Sequence, residues 1–254
     1  GTKAELMFNE DIRALLDAMS AGNTAFHKLV IVLDELEHLL PIDGKENISG
    51  SREFFALLRG LAQTERYRGR LSTIVVAANA AISERGYWEG RENPVFSFFQ
   101  PVFLPPLSKD DCHDMIVTLG KSMSVHWEEE AIETIFAETA GHPFITRVLC
   151  SHIIDQDHKR PLTVTVTLVK AEIPQFIRKE SSKFQQITEL LHTHFPEEEQ
   201  LLKKIALEET PASLTDTELS HLLGYHLIEL KEGNYHITLN LLRRWLRRHA
   251  GINE

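Results

Sequence analysis

Apolar residues at Leu6, Ile12, Leu15, Leu16 and Met19 recur at helical spacing, which predicts a helix over Ala4 to Met19 stopped by Gly22-Asn23. Leu29-Val30-Ile31-Val32-Leu33 is an unbroken, mostly β-branched run and predicts a strand covered on both faces in a parallel sheet. It ends abruptly in Asp34-Glu35. After a polar stretch containing Gly44 and Gly50, the spacing of Phe54, Phe55, Leu57, Leu58 and Leu61 predicts an amphipathic helix over Arg52 to Gln63. Ser72 to Ala78 reads as a second buried strand terminating at Asn79. A helix between two such strands implies an α/β layer with a right-handed crossover.

Past a loop rich in Gly, Arg and aromatics (Arg85 to Gln100), Val102-Phe103-Leu104 is expected to form a third short strand running into Pro105-Pro106. Ser108 followed by Asp110-Asp111 supplies a helix cap and first-turn acids. Helical patterns continue over Asp110 to Leu119, Trp127 to Thr139 and Pro143 to Ile154, and a further one over Val169 to His194 is expected to break at Pro174. Beyond these, Glu197 to Leu207 and Thr215 to Leu223 read as helices. Leu227 to Leu230 and Tyr235 to Thr238 flank Glu232-Gly233-Asn234 as a hairpin, and Leu241 to His249 closes the chain with a helix. Helix, helix, hairpin, helix is winged-helix order. The expected domains are an α/β core over 1–104, a helical lid over 105–194 and a winged helix over 195–254.

Composition narrows the chemistry. With 254 residues and 43% hydrophobic content the chain can bury a sizeable core, and a net charge of −10 disfavours polyanionic partners unless one face is locally basic. Its two cysteines, Cys112 and Cys150, lack CxxC spacing, so the sequence offers no disulfide scaffold or zinc motif, and a reducing, cytoplasmic location is expected. No apolar run approaches the roughly 18 to 20 residues that span a bilayer; a membrane role is not expected.

Asp34 and Glu35 fall at the carboxyl end of a predicted strand, the edge at which open α/β sheets bind ligands, although strand-end acids also serve solubility. Asn79 occupies the same end of the next predicted strand, where its amide either meets a ligand or simply makes a turn. Gly141-His142-Pro143 places a proline at the first position of a helix whose free amides can receive an anion; a ligand-free helix start is the plainer alternative.

Together, Leu33-Asp34-Glu35-Leu36-Glu37, Leu57 to Gln63, Glu92-Asn93-Pro94-Val95-Phe96 and Thr139 to Arg147, in this order and spacing, resemble bacterial P-loop ATPases of the STAND class within the AAA+ superfamily. That resemblance implies a nucleotide-dependent switch using ATP or ADP and Mg2+. In it Asp34 would hold the metal, Glu35 would orient the attacking water, Asn79 would act as sensor 1, and Gly141, His142 and Pro143 would form the lid motif touching nucleotide. It further implies self-association, or a partner protein bound through core and lid. The sequence departs from the family in one respect: no GxxxxGK[ST] is present. Gly120-Lys121-Ser122 has Met115 where the first glycine belongs and sits in a helical pattern. The chain as written is therefore expected to hydrolyse ATP poorly, the phosphate loop lying on a segment upstream or on another chain, or having been lost.

Arg243, Arg244, Arg247 and Arg248 would give the last helix a basic face, so a non-catalytic regulator binding DNA or a partner protein is the alternative function. Arg85 and Arg91 are candidates for an arginine finger across a subunit boundary and Arg147 for a phosphate contact, with a surface arginine the better reading of each. No HExxH or G-x-S-x-G motif occurs.

Overall fold

The computed structural model describes residues 3–22, 25–36, 50–88, 91–209 and 214–252. Glu37, and the side chain of Arg91, lie outside the described residues. The chain divides into two compact units, Gly1–Val102 and Phe103–Glu254.

In the first unit, α1 (Lys3–Ser20) leads to β1 (Leu29–Leu33), then α2 (Ser51–Gln63), β2 (Leu71–Val75), α3 (Ala81–Glu84) and a small hairpin of β3 (Tyr87–Trp88) and β4 (Arg91–Glu92). β1 and β2 pair in parallel, Leu29 opposite Leu71 through Leu33 opposite Val75. Because side chains alternate along a strand, Leu29, Ile31 and Leu33 face the helices. There Leu16 and Met19 from α1 and Phe55, Leu58 and Leu61 from α2 are buried. The other face differs from expectation. Val30, Val32, Ile74 and Val76 are 47%, 60%, 51% and 47% exposed, so among the described residues the apolar run is covered on one side only. Both helices pack on the same face, which accounts for the asymmetry.

Two further expectations are corrected here. Val102-Phe103-Leu104 is not a strand; Val102 and Leu104 are 79% and 83% exposed. β2 also stops at Val75, short of Asn79, although Val76 N–H still donates to Leu33 O and Leu36 N–H to Val76 O. The loop after β4 is built on Asn93, which is fully buried. Its Nδ2 donates to Ile82 O and Arg85 O while its Oδ1 accepts from Val95 N–H, so it satisfies backbone groups that the turn would otherwise orphan.

The second unit opens with α4 (Lys109–Ser122), capped by Ser108 accepting from Asp111 N–H at 3.1 Å. It continues through β5 (Val125–Trp127), α5 (Glu129–Thr139), α6 (Pro143–Ile154), β6 (Leu162–Val164), α7 (Val166–Lys179), α8 (Ser181–His194) and α9 (Pro196–Ala206). After a 3-10 turn over Asp216–Leu219 come α10 (Ser220–Gly224), β7 (Ile228–Lys231), β8 (Asn234–Ile237) and α11 (Asn240–His249). The short parallel pair β5–β6 was not expected. The long helix breaks at Glu180 rather than at Pro174, which lies inside α7. Gly120 is needed for packing: a Cβ there would sit 2.7 Å from Trp127 Nε1. That gives the Gly-Lys-Ser triplet a structural explanation within α4.

Thr215 and Glu218 form a capping box, and Glu232 and Gly233, with φ of 51° and 83°, make the left-handed turn joining β7 to β8. One apolar cluster runs from Cys112 in α4 to Leu246 in α11. Trp245 Nε1 donates to Ser181 Oγ at 2.7 Å, so the segments expected as lid and C-terminal module share a core.

Candidate functional site

β1 carries its acids at the carboxyl end, immediately past the Leu33–Val75 pair. Asp34 and Glu35 are exposed, and Asp34 Oδ1 accepts the Glu35 N–H at 2.9 Å. Glu35 has φ of 52°, an uncommon left-handed conformation for a non-glycine residue, which turns the chain sharply so that Leu36 can enter the core at 0% exposure. Asn79 follows β2 at the same edge. Its Oδ1 accepts from Ala81 N–H at 2.9 Å, starting α3. That contact uses the carbonyl oxygen and not the Nδ2 amide, which is the donor a phosphate or water would require. Asp34, Glu35 and Asn79 thus share one edge of the first unit.

Gly141, His142 and Pro143 lie in the second unit, where α5 turns into α6. Ala140 and Gly141 are both left-handed, with φ of 49° and 71°. Gly141 O accepts from Leu107 N–H at 3.0 Å, and a Cβ on Gly141 would stand 2.2 Å from Leu107 O. Close approach and positive φ together require glycine here. Pro143 opens α6, and His142 caps it by accepting the Ile145 N–H on Nδ1 at 3.5 Å. An imidazole whose Nδ1 accepts carries its proton on Nε2, so the turn presents a neutral donor. Burial holds this imidazole below its ordinary proton affinity, a shift partly offset by its backbone hydrogen bond. Across the turn, Thr146 Oγ1 donates to Thr139 Oγ1 at 2.9 Å, and Thr139 Oγ1 donates to Ile135 O at 2.8 Å.

Contacts that the sequence did not reveal hold this turn from the C-terminal side. Glu138, 8% exposed, receives Arg244 Nη2 at 2.9 Å, and Asn240 Nδ2 donates to Ala137 O at 2.9 Å. Arg247 reaches Ala206 O at 3.2 Å and Glu208 at 3.5 Å. Arg244 and Arg247, expected to help make a basic face on α11, are therefore engaged within the fold. Arg85 and Arg147 are exposed.

Neither cysteine is a nucleophile candidate. Burial raises both thiols, Cys150 to about 12, although a hydrogen bond with Thr146 opposes the shift at Cys112. Among the described residues no group of three His, Cys, Asp or Glu is gathered to hold a metal, and no helix is long and apolar enough to cross a membrane.

A family model described as an AAA-like domain matches residues 17–248. Among solved structures, a Walker-type ATPase of Pyrococcus abyssi is similar with a TM-score of 0.57 and 15% identity, over 94% of this chain and 67% of that one. The RuvB Holliday junction branch migration motor of Thermotoga maritima aligns at 12% identity over 94% and 75% of the two chains, with a TM-score of 0.42. The first likeness is one of fold. No curated protein matches the chain by sequence.

Proposed function

From the premise that the chain belongs to the AAA-like domain family, we propose that it is the acidic-strand, lid and C-terminal portion of a nucleotide-dependent signalling switch of the STAND type. In the complete protein it binds ATP with Mg2+ and hydrolyses it slowly. The observation that carries this reading is the in-register parallel pair β1–β2, which ends at Leu33 and Val75, directly before Asp34-Glu35 and four residues before Asn79.

The donor set fits magnesium. A lone exposed carboxylate at Asp34 is a hard oxygen ligand suited to an ion that keeps most of its waters. When bound, the ion neutralises charge on the nucleotide phosphates. Glu35 would orient the attacking water, and the Asn79 amide would donate to that water or to the terminal phosphate. In the lid, the Gly141-His142-Pro143 turn would meet the nucleotide through the His142 Nε2 proton. We assign 1–104 to the core, 105–194 to the lid and 195–254 to a winged helix. Nucleotide state governs self-association or the grip on a partner protein in the cytoplasm.

The sequence contains no GxxxxGK[ST], so this reading requires the amide cradle and its lysine to come from a segment upstream or from another chain; the alternative is that they have been lost. The bare apolar face of Val30, Val32, Ile74 and Val76 supports the former, because parallel sheets are covered on both sides. DNA binding has weaker support, with Arg244 and Arg247 engaged internally.

The test joins the chain to the polypeptide encoded upstream and measures Mg2+-dependent ATP hydrolysis. Glu35→Gln should abolish turnover while retaining ATP binding. Hydrolysis unaffected by that substitution, or no nucleotide binding by the joined protein, would refute the reading.

A further inference from the structure

Helix α5 ends under unfavourable conditions. Its last turn contains no basic residue, while Glu138 sits buried beside the negative pole of the helix, whose Phe136 and Thr139 carbonyls are met by the Ala140 and His142 amides. It is followed directly by Ala140 and Gly141, both held at positive φ. A helix end of this kind also takes a donor for its Ala137 carbonyl and a cation for its acid, and α11 supplies both. Asn240 Nδ2 donates to Ala137 O, and Arg244 Nη2 binds Glu138 Oε1, each at 2.9 Å. The two residues are four apart, one helical turn, so a single face of α11 grips the final turn of α5.

We propose that Arg244, with Asn240 beside it, is a positioning residue for His142: through Glu138 and Ala137 it fixes the end of α5, and hence the direction in which the His142 Nε2 proton points. The inference rests on the reading of His142 as a nucleotide contact, and it adds the means by which the C-terminal helix and that contact report on each other. Four links separate Arg244 from the imidazole: the Glu138 carboxylate, the Thr139 hydroxyl bridging to Thr146, the Ala140-Gly141 pair, and the cap that His142 makes on Ile145. Ala140, a non-glycine residue at φ of 49°, sits in a narrow allowed region that leaves little room to absorb a small shift. Displacing α11 therefore turns the imidazole rather than only loosening the loop. By linkage, a ligand that fixes His142 also tightens the α5–α11 contact.

The experiment uses the 254-residue chain and two readouts that need no nucleotide: the 15N shifts of the His142 ring, which report its tautomer, and amide hydrogen exchange over 139–146. In Arg244→Ala, exchange in that segment should accelerate at least tenfold beyond any change in the slowest-exchanging amides of the second unit. The ring should become a mixture of tautomers. Arg244→Lys keeps the cation and should retain most of the native signature. Should Arg244→Ala fail to fold, Glu138→Gln is read instead, with the same changes at smaller amplitude. An unchanged ring tautomer in every folded variant, or acceleration spread evenly over the unit, overturns the proposal. ATP affinity of the protein joined to its upstream polypeptide is measured separately. No binding there removes the nucleotide reading while the coupling stands on the ring and exchange data; binding with an unperturbed ring in Arg244→Ala does the reverse.

Discussion

Thr146 and Thr139 are joined hydroxyl to hydroxyl across the turn that carries His142, and both side chains are fully buried. The direction of that bond matters. Thr139 passes its own proton to Ile135 O, so Thr146 is the donor in the pair. Thr146→Val removes its bonds to Thr139 and Cys112 but leaves no buried donor unpaired, and should cost about 1 kcal/mol. Thr139→Val leaves the buried Thr146 hydroxyl with only the weakly accepting Cys112 sulfur and should cost more, about 1–3 kcal/mol. Urea denaturation of the two variants checks the order; equal losses would contradict the assigned direction.

His142 makes stability depend on pH. Its folded proton affinity is lowered by burial, so the unfolded chain binds the proton more readily. The contribution is intact above the ordinary histidine value of 6.5 and is lost as pH falls from there through the lowered folded value. Denaturation midpoints at pH 7.5 and 5.5 should therefore differ. In His142→Asn, which keeps a capping acceptor without a titrating ring, the difference should shrink. An unchanged pH dependence in that variant would place the titration elsewhere.

Gly60 and Gly141 should respond to alanine in opposite ways. Gly60 lies within α2 with nothing inside 4 Å of the position a Cβ would take, so Gly60→Ala should raise stability by about 1 kcal/mol through helix propensity. At Gly141 the φ is +71° and a Cβ would approach Leu107 O to 2.2 Å. Gly141→Ala should lower stability by roughly 2–4 kcal/mol, the left-handed penalty adding to the clash. Thermal unfolding distinguishes them, and a neutral Gly141→Ala would mean that the turn relaxes freely.

What the sequence reveals here follows from how far apart the interacting residues lie. β1, α2 and the β7–β8 hairpin are legible because their signals are local: a β-branched run, a 3.6-residue period, and Glu232-Gly233 at a left-handed turn. β5 and β6 escape notice because three residues each are too few to show a period, and Val125 finds Leu162 only in the folded chain. Pro174 misleads in the other direction, since the helix tolerates it and breaks at Glu180 instead. Asp34, Glu35 and His142 stand out by residue type at element ends. Arg244 does not, because its meaning lies in Glu138, 106 positions away. The four arginines of the last helix look alike in sequence; only the fold shows that Arg244 and Arg247 are internal ties.

The exposed face of the first unit gives the last prediction. Val30, Val32, Ile74 and Val76 present apolar side chains to solvent from two adjacent strands, whereas the opposite face of those strands is packed by helices. Contiguous exposed apolar surface marks a place where another element docks. If the polypeptide bearing the phosphate loop covers it, then polar substitutions there affect the isolated chain and the joined protein differently. In the isolated chain Val32→Thr combined with Ile74→Thr should leave stability within about 0.5 kcal/mol, as surface changes do, and should reduce self-association. In the joined protein the same pair becomes a core lesion and should destabilise by several kcal/mol, because two hydroxyls are buried in addition to the lost apolar contact. Chemical denaturation of both forms, with light scattering of the isolated chain, measures the contrast. Equal effects in the two forms would mean that the face stays open and that the loop, wherever it resides, is held some other way.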